Sequence, residues 1–527
     1  MIKMSKNRLL IINNKVSQED LLEPFKGNIS PNIDPLEAKM YDVIAVYDAP
    51  SYLPFWYKYL KRIGFKFKYH IAVYFDPLNE FGKYNLLSSH IGILLVSNNS
   101  FDPNKVRVPH KYCKFCGNTL KDWGGKTHLM HPEGSLISDV WKDFNLTYKD
   151  IVNQRCPELA IERLKKMFER AEIIEGKRSI FREKENDEAD EKINEIPELF
   201  KNKVIEGDAT EVLKQFPNNC FDTVFIDPPY NLGKQYLSYE DERKDYVSWS
   251  LKWLKECFRV MEPNGSLFLL NIPKWAHEIL IELLPNYYLI RWIVWDEPAE
   301  PRGKLIPAHY ALLWLSKSKN VKTYPLKNDQ DSAEFCLRIN CVKVRRSIGI
   351  KDKISVRDVR WDIHRIKHRH KRFKFHPVQL PEKLLKFIIE LTTNKGDAVL
   401  DPMVGTGTTV AVAKKLGRIF SGIDIDPTYV EITRKRLEGK LDGILEEPGN
   451  NFRDKKFRLT KKWIQIEMEK LARKIGRLPT VEDASSYLGV EKTFLLTIFP
   501  NWSKALKLAK IKLEIEKKSE RLDKYIS

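Results

Sequence analysis

The sequence predicts an α/β protein whose larger part is a mostly parallel sheet with helices on both faces. Three observations predict it. Short apolar runs ending in an acid recur, at Val204-Ile205-Glu206-Gly207-Asp208, Thr223-Val224-Phe225-Ile226-Asp227, Ala398-Val399-Leu400-Asp401 and Ile419-Phe420-Ser421-Gly422-Ile423-Asp424. Helical stretches at about Tyr246 to Val260 and Lys274 to Leu284 alternate with strand-like runs at Ser266 to Leu270, Leu289 to Trp295 and Tyr310 to Leu315. A glycine turn, Gly405-Thr406-Gly407, follows one strand directly and opens a helix at Thr408-Thr409. Regular alternation of this kind needs crossover connections, and so a sheet covered on both sides.

With 527 residues the chain is too long for one core, so about two to four domains are expected. A net charge of +19 makes a polyanion the expected partner, because phosphates attract such a surface whatever their sequence. Ribosomal or acidic-membrane surfaces would be served by the same charge. Seven cysteines are too few for a disulfide framework, the stretch from Met1 to Lys6 leads into no apolar signal core, and no apolar run approaches the roughly 18 residues that span a bilayer. A cytoplasmic protein with no membrane role is expected.

Residues 1–40 mix proline, asparagine and charge and are expected to be an N-terminal arm. An α/β rhythm follows in Val43 to Tyr47, the helical Phe55 to Lys61, His70 to Tyr74 and Ile91 to Val96. Then come Cys113-Lys114-Phe115-Cys116-Gly117 with His128 and His131, a spacing that fits a closed structural zinc site; a pair of buried thiols beside surface histidines is the simpler alternative. Residues 167–200 are half charged, most densely at Glu183-Lys184-Glu185-Asn186-Asp187-Glu188, and read as a linker. Between about 323 and 374 the alternation breaks, and Lys343, Arg345, Arg346, Arg357, Arg360, Arg365, Lys367, Arg369, Lys371 and Arg372 crowd together, an insertion expected to contact DNA. After Lys440 a charged stretch leads to short helices with Trp502 as anchor.

Asp227-Pro228-Pro229-Tyr230 reads as a catalytic tetrad. An exocyclic amine on a base is a poor nucleophile because its lone pair is delocalised into the ring, so an enzyme must accept hydrogen bonds from its N–H groups. Asp227 and the Pro228 carbonyl can be those acceptors. The two prolines fix φ and carry no donor, and Tyr230 offers a flat face to an unstacked base. In Asp401-Pro402-Met403-Val404-Gly405-Thr406-Gly407-Thr408-Thr409, glycines let backbone N–H groups approach an anion, and Thr408 and Thr409 are expected to cap the following helix. Asp424, about 20 residues on, stands where an acid receives ribose hydroxyls. The pattern lacks the third glycine of a dinucleotide turn and nothing suits hydride chemistry.

From about Val204 to Leu437 the chain resembles the S-adenosylmethionine-dependent DNA amino-methyltransferases in the permuted beta arrangement. Asp227 comes first, the basic insertion second and the Asp401 turn third, which is that family's order. The resemblance implies a Rossmann-like methyltransferase sheet, S-adenosylmethionine as cofactor and double-stranded DNA as substrate. It further implies that Asp208 receives the adenine amine of the cofactor, that Asp424 holds its ribose, and that the stretch from His376 and Gln379 to Leu385 closes over its methionine end. Met403 replaces the usual phenylalanine. Direct attack of the amine on the sulfonium methyl needs no covalent enzyme intermediate. The acid at Asp227, where many cytosine-N4 members have serine, favours adenine N6; cytosine N4, or a catalytically idle DNA-binding regulator, is the alternative, and a role in restriction-modification is implied.

The first half echoes the second. Tyr41-Asp42-Val43 to Asp48 parallels Phe221-Asp222-Thr223 to Asp227, and His90 to Ser97 parallels His309 to Ser316, at a separation of about 220 residues. Residues 41–166 are therefore expected to be a degenerate methyltransferase-like unit without a glycine turn, ahead of a catalytic domain at 201–440. Residues 441–527 resemble the small helical repeat attached to homing endonucleases, which implies a DNA-binding domain. Nothing in the sequence fixes the oligomeric state.

Overall fold

The computed structural model describes residues 8–77, 83–98, 101–120, 130–168, 170–182, 193–233, 241–297, 304–326, 330–336, 338–364, 379–439 and 461–506, apart from 489–491, 493–494, 497–498 and 500. The chain divides into two compact units, residues 1–365 with 380–437, and residues 366–379 with 438–527. Among the described residues no helix is long and apolar enough to cross a membrane.

The larger unit contains two sheets. The eight-stranded sheet runs in the order Lys203–Glu206, Ile419–Asp424, Ala398–Asp401, Phe221–Ile226, Met261–Asn271, His309–Ser316, Tyr288–Asp296, Val359–Arg360. Its first five strands are parallel; His309–Ser316 runs antiparallel to both neighbours, and Val359–Arg360 is parallel to Tyr288–Asp296. The strands read as continuous apolar runs because both faces are covered, with Phe225, Leu269 and Leu400 fully buried. Helices Tyr246–Val260, Pro273–Leu283, Glu382–Thr392 and Thr408–Lys415 supply the cover.

The six-stranded sheet repeats this plan. Its order is Arg170–Glu175, Arg8–Asn13, Val43–Asp48, His90–Ser97, Lys66–Tyr74, Val140–Trp141, with the same strand directions as the six strands from Ala398–Asp401 to Val359–Arg360. Among the described residues the counterparts of Ile419–Asp424 and Lys203–Glu206 are absent from it.

Three expectations are corrected here. Residues 8–40 are not an arm: Arg8–Asn13 is an interior strand with Leu9, Leu10 and Ile11 fully buried, so its apolar run is core. The charged segment 167–200 is not only linker, since Arg170–Glu175 is the sheet's outer strand and Lys177–Arg182 pairs with Gly27–Asn32. Asp48 is not the counterpart of Asp227. Ladder register sets Val43–Asp48 against Met261–Asn271, and places Asn13 where Asp227 stands in the other sheet. The Asn13 carboxamide instead accepts the Cys156 amide at 2.7 Å. Asp48 is buried against Arg178 (3.1 Å) and the Trp56 indole (2.9 Å).

The halves meet through reciprocal contacts, as two copies related by a pseudo-twofold axis would. Asp139 accepts the backbone N–H of Ala308 (2.6 Å) and His309 (3.0 Å), while Asp358 accepts that of Ser89 (2.9 Å). The bridge Leu87 to Arg357 has its mirror in Ser138 to Ile306. Helices Leu53–Arg62 and Pro273–Leu283 face each other, with Tyr57 and Lys61 bonded to Glu278 at 3.2 and 2.6 Å. Between them lie buried histidines. His277 Nε2 is 3.1 Å from His70 Nδ1, and His309 donates from Nδ1 to the His70 carbonyl (2.9 Å) while its Nε2 accepts the Trp292 indole N–H (2.9 Å), which fixes its neutral tautomer.

In the smaller unit, helices Lys461–Ile475 and Val481–Leu488 bury Met468, Leu471, Ala484, Leu495, Phe499 and Ala505, and the Trp502 indole donates to the Pro479 carbonyl at 3.0 Å.

Candidate active site

Three parallel strands end side by side and deliver the site. Phe221–Ile226 leads into Asp227, its neighbour Ala398–Asp401 ends in Asp401, and Ile419–Asp424 ends in Asp424. Ligands of open α/β sheets bind at such carboxyl ends.

Asp227 is half-buried, and the Tyr230 hydroxyl donates to its Oδ1 at 2.5 Å. Tyr230 is buried and stands 6.2 Å, ring to ring, from Tyr310, which in turn lies 5.4 Å from Trp295. The loop is fixed behind the tetrad. The Pro229 carbonyl accepts the Tyr246 hydroxyl (2.7 Å), which itself accepts from the Asn271 carboxamide (2.9 Å). Beyond it Asn231 adopts φ 54° and exchanges two hydrogen bonds with the Arg243 backbone (2.6 and 2.9 Å). Tyr246, Asn271 and Tyr310 were not singled out from the sequence. Asn271 carried a signal, being a polar residue at the end of the fully apolar run Leu267 to Leu270 on the next strand.

At the glycine turn, Gly405 and Gly407 take φ values of 50° and 79°, in the left-handed region. Gly407 is the cap residue of helix Thr408–Lys415, so Thr408 and Thr409 are not caps as expected. Their hydroxyls serve neighbours instead: Thr408 accepts from Arg436 (3.1 Å), and Thr409 bonds the Asp401 carboxyl. Asp401 also accepts the Met403 N–H at 3.1 Å; Pro402 is buried and Met403 packs on the core. The Gly405 N–H donates to Asp424 Oδ2 (2.8 Å) and the Asp426 N–H to Oδ1 (2.9 Å), which ties the second strand to the turn. Behind the turn, Thr433 donates to the Gly405 carbonyl (2.8 Å) and Arg436 to that of Thr406 (3.1 Å). Asp208 caps helix Ala209–Leu213 through the N–H of Thr210 (2.9 Å) and Glu211 (3.2 Å). Gln379 is buried just ahead of helix Glu382–Thr392, and His376 lies outside the described residues.

Burial dominates the electrostatics. It pushes the Asp401 carboxyl up to about 7, with Asp227 and Asp424 adding repulsion while Thr409 and Met403 pull it back. It raises Asp424 to about 6 against the bonds from Asp426 and Gly405. Acceptors therefore crowd one end of the sheet. Such a donor-poor set suits a ligand that brings positive charge together with N–H and O–H groups, and S-adenosylmethionine has that chemistry.

A sequence profile for N6/N4 methyltransferases, described as DNA methylase, matches residues 221–435. The type II methyltransferase M.BamHI of Bacillus amyloliquefaciens is 35% identical over 318 residues, covering 56% of this chain and 72% of that protein. The chain belongs to the N6/N4 DNA methylase family. The methylase is also 31% identical over 249 residues to the type II methyltransferase M.HpaI of Haemophilus parainfluenzae, across 46% of this chain and 76% of that protein. It is 30% identical over 243 residues to the DNA adenine methyltransferase YhdJ of Escherichia coli (strain K12), across 45% of this chain and 82% of that protein. It is thus a DNA amino-methylating enzyme that uses S-adenosylmethionine.

Two further expectations change. Cys113 and Cys116 lie with Cys336 and Cys341, not with His131, whose Nδ1 accepts the Glu133 N–H (3.3 Å); His128 lies outside the described residues. Among the described residues, three of the insertion's five basic side chains named above face inward. Arg345 is buried against Asp352 (2.8 Å) and Arg360 against Asp362 (3.0 Å), while Arg357 pairs with Asp76 of the first half (2.7 Å). Lys343 and Arg346 are exposed, and Arg365 to Arg372 lie outside the described residues.

Proposed function

We propose that this methylase modifies the N6 amine of adenine in double-stranded DNA. The observation that carries the reading is the acid at Asp227, held by the Tyr230 hydroxyl at the end of its strand. Asp227 and the Pro228 carbonyl accept the two N–H bonds of the amine, which draws its lone pair out of the ring, and Asp227 receives the proton that is released. Tyr230, with Tyr310 behind it, stacks on the flipped base. S-adenosylmethionine, when bound, supplies an electrophilic methyl group. Asp208, Asp401 and Asp424 would hold it through its N–H, O–H and cationic groups, together with Pro402, Met403, Gly405, Gly407, Thr408 and Thr409 of the turn, and His376 and Gln379 would serve its methionine end.

The first half takes the place of a second subunit: it repeats the fold, carries Asn13 at the Asp227 position and braces the catalytic half across the histidine layer. Exposed Lys343 and Arg346 and the helical tail add phosphate contacts to the overall charge of +19. A cytoplasmic role in restriction-modification fits these parts. Nucleoside mass spectrometry of DNA treated with enzyme and cofactor tests the base: N6-methyladenine supports the reading, and N4-methylcytosine overturns the base assignment while keeping the site.

A further inference from the structure

Four cysteines outside the active site converge from both halves of the larger unit. Cys113 and Cys116 sit in a tight turn of the first half, closed by the Tyr112 to Thr119 bridge and by Gly117 at φ 68°. Cys336 precedes helix Ile339–Ser347 of the catalytic half, and Cys341 lies in its first turn. All four Sγ atoms are within 4.8 Å of one another. Two of the pairs run between the halves, Cys113 to Cys341 at 3.7 Å and Cys116 to Cys336 at 3.6 Å.

Those spacings decide between chemistries. A disulfide needs about 2.05 Å between sulfurs. Four thiolates each about 2.3 Å from a tetrahedral zinc stand about 3.8 Å apart, close to the 3.6 and 3.7 Å of the two pairs across the seam and within the 4.8 Å that bounds all four sulfurs. The sulfurs also have the outer partners that metal-bound thiolates carry: Arg345 donates to Cys341 Sγ (2.9 Å) and to the Cys336 carbonyl (3.0 Å) while Asp352 holds it, and the Asn118 carboxamide donates to Cys116 Sγ (3.5 Å). The surrounding backbone interlocks across the same seam. Lys114 N–H donates to the Glu334 carbonyl (3.1 Å), the Lys114 and Glu334 side chains pair, and Arg338 donates to the Thr119 carbonyl (2.6 Å).

We propose that Cys113, Cys116, Cys336 and Cys341 bind one zinc ion that staples the insertion of the catalytic half to the first half. Four protein ligands leave no open position, so the ion is structural. It fixes helix Ile339–Ser347, and with it exposed Lys343 and Arg346, against the first half; this makes the pseudo-twofold seam part of the DNA-facing surface. The staple stands independently of which base is methylated.

The test uses the full chain, purified under reducing conditions without chelator. Elemental analysis is expected to give one zinc per chain, and X-ray absorption a single shell of four sulfurs at about 2.3 Å. The Cys336→Ser and Cys341→Ser variants should lose the ion, whereas Cys156→Ser, which alters a thiol elsewhere, should retain it. Should the serine variants not fold, titration of the wild-type chain with a mercurial still decides, because zinc should be released in step with the four thiols. Absence of metal even after reconstitution with zinc, iron in place of zinc, nitrogen ligands in the absorption spectrum, or zinc retained by Cys336→Ser would each overturn the proposal.

Discussion

Gly407→Ala tests whether the turn is held by the contacts described. At φ 79° an alanine costs about 1–2 kcal/mol in backbone strain. Its Cβ would stand 2.4 Å from Thr433 Cγ2 and 2.8 Å from its Oγ1, far inside normal contact. Thr433 is fully buried, so it relieves the clash only by rotating or by displacing helix Pro427–Leu437, and either loses its bond to the Gly405 carbonyl. The part-buried Gly405 carbonyl, left unpaired, adds up to about 1–3 kcal/mol. The expected loss is about 2–5 kcal/mol in urea unfolding, and because Gly405 also holds Asp424, calorimetric titration should show S-adenosylmethionine binding weakened about tenfold or more. A double-mutant cycle isolates the clash. Thr433→Ala removes the two closest atoms, leaving only its Cβ at 3.0 Å, and loses the same hydrogen bond, so the double variant should be about 1–3 kcal/mol more stable than the two single losses predict. Strict additivity, or unchanged cofactor affinity in Gly407→Ala, would refute the packing argument.

Further outcomes follow from the same geometry. Asp401 and Asp424, raised to about 7 and 6, must be ionised to hold a cation, so cofactor affinity should fall as pH drops through 7 and 6; a constant Kd from pH 8 to 5.5 contradicts this. Burial lowers His277 to about 3 against about 6.5 when unfolded; its neutral state stabilises the seam fully above 6.5 and progressively less as pH falls toward 3, by about 2 kcal/mol at pH 5. Buried carboxyls shift the opposite way, so the readout is a difference: the stability gap between wild type and His277→Asn should shrink by about 2 kcal/mol from pH 7.5 to 5, and a constant gap removes the argument. Asp227→Asn should cut kcat about 10²–10³-fold with cofactor Kd unchanged, measured by single-turnover methylation and titration; a fivefold loss would be too small for the role assigned.

What was legible in the sequence was local. The run into Asp227, the glycine turn and the strand to Asp424 are each bounded by an acid, a proline or a glycine, and their order along the chain fixed the parallel sheet. What was hidden depends on long-range pairing. Tyr41 to Asp48 looks like Phe221 to Asp227 because both are buried strands ending in an acid, yet ladder register sets it beside Met261–Asn271. Cys336 and Cys341 become partners of Cys113 and Cys116 only when the halves close, which no local spacing encodes. Arg345 and Arg360 read as a basic surface, but each is buried beside an aspartate, and such pairing is invisible in a charge count.

The most direct test of the central claim is transfer of tritium from labelled S-adenosylmethionine to duplex DNA by wild type and Asp227→Ala, with cofactor binding measured on both. The account predicts DNA labelled in N6-methyladenine by wild type, and none by the variant although it binds the cofactor as well. Equal labelling by both proteins, or no labelling by a wild type that binds the cofactor, would contradict it.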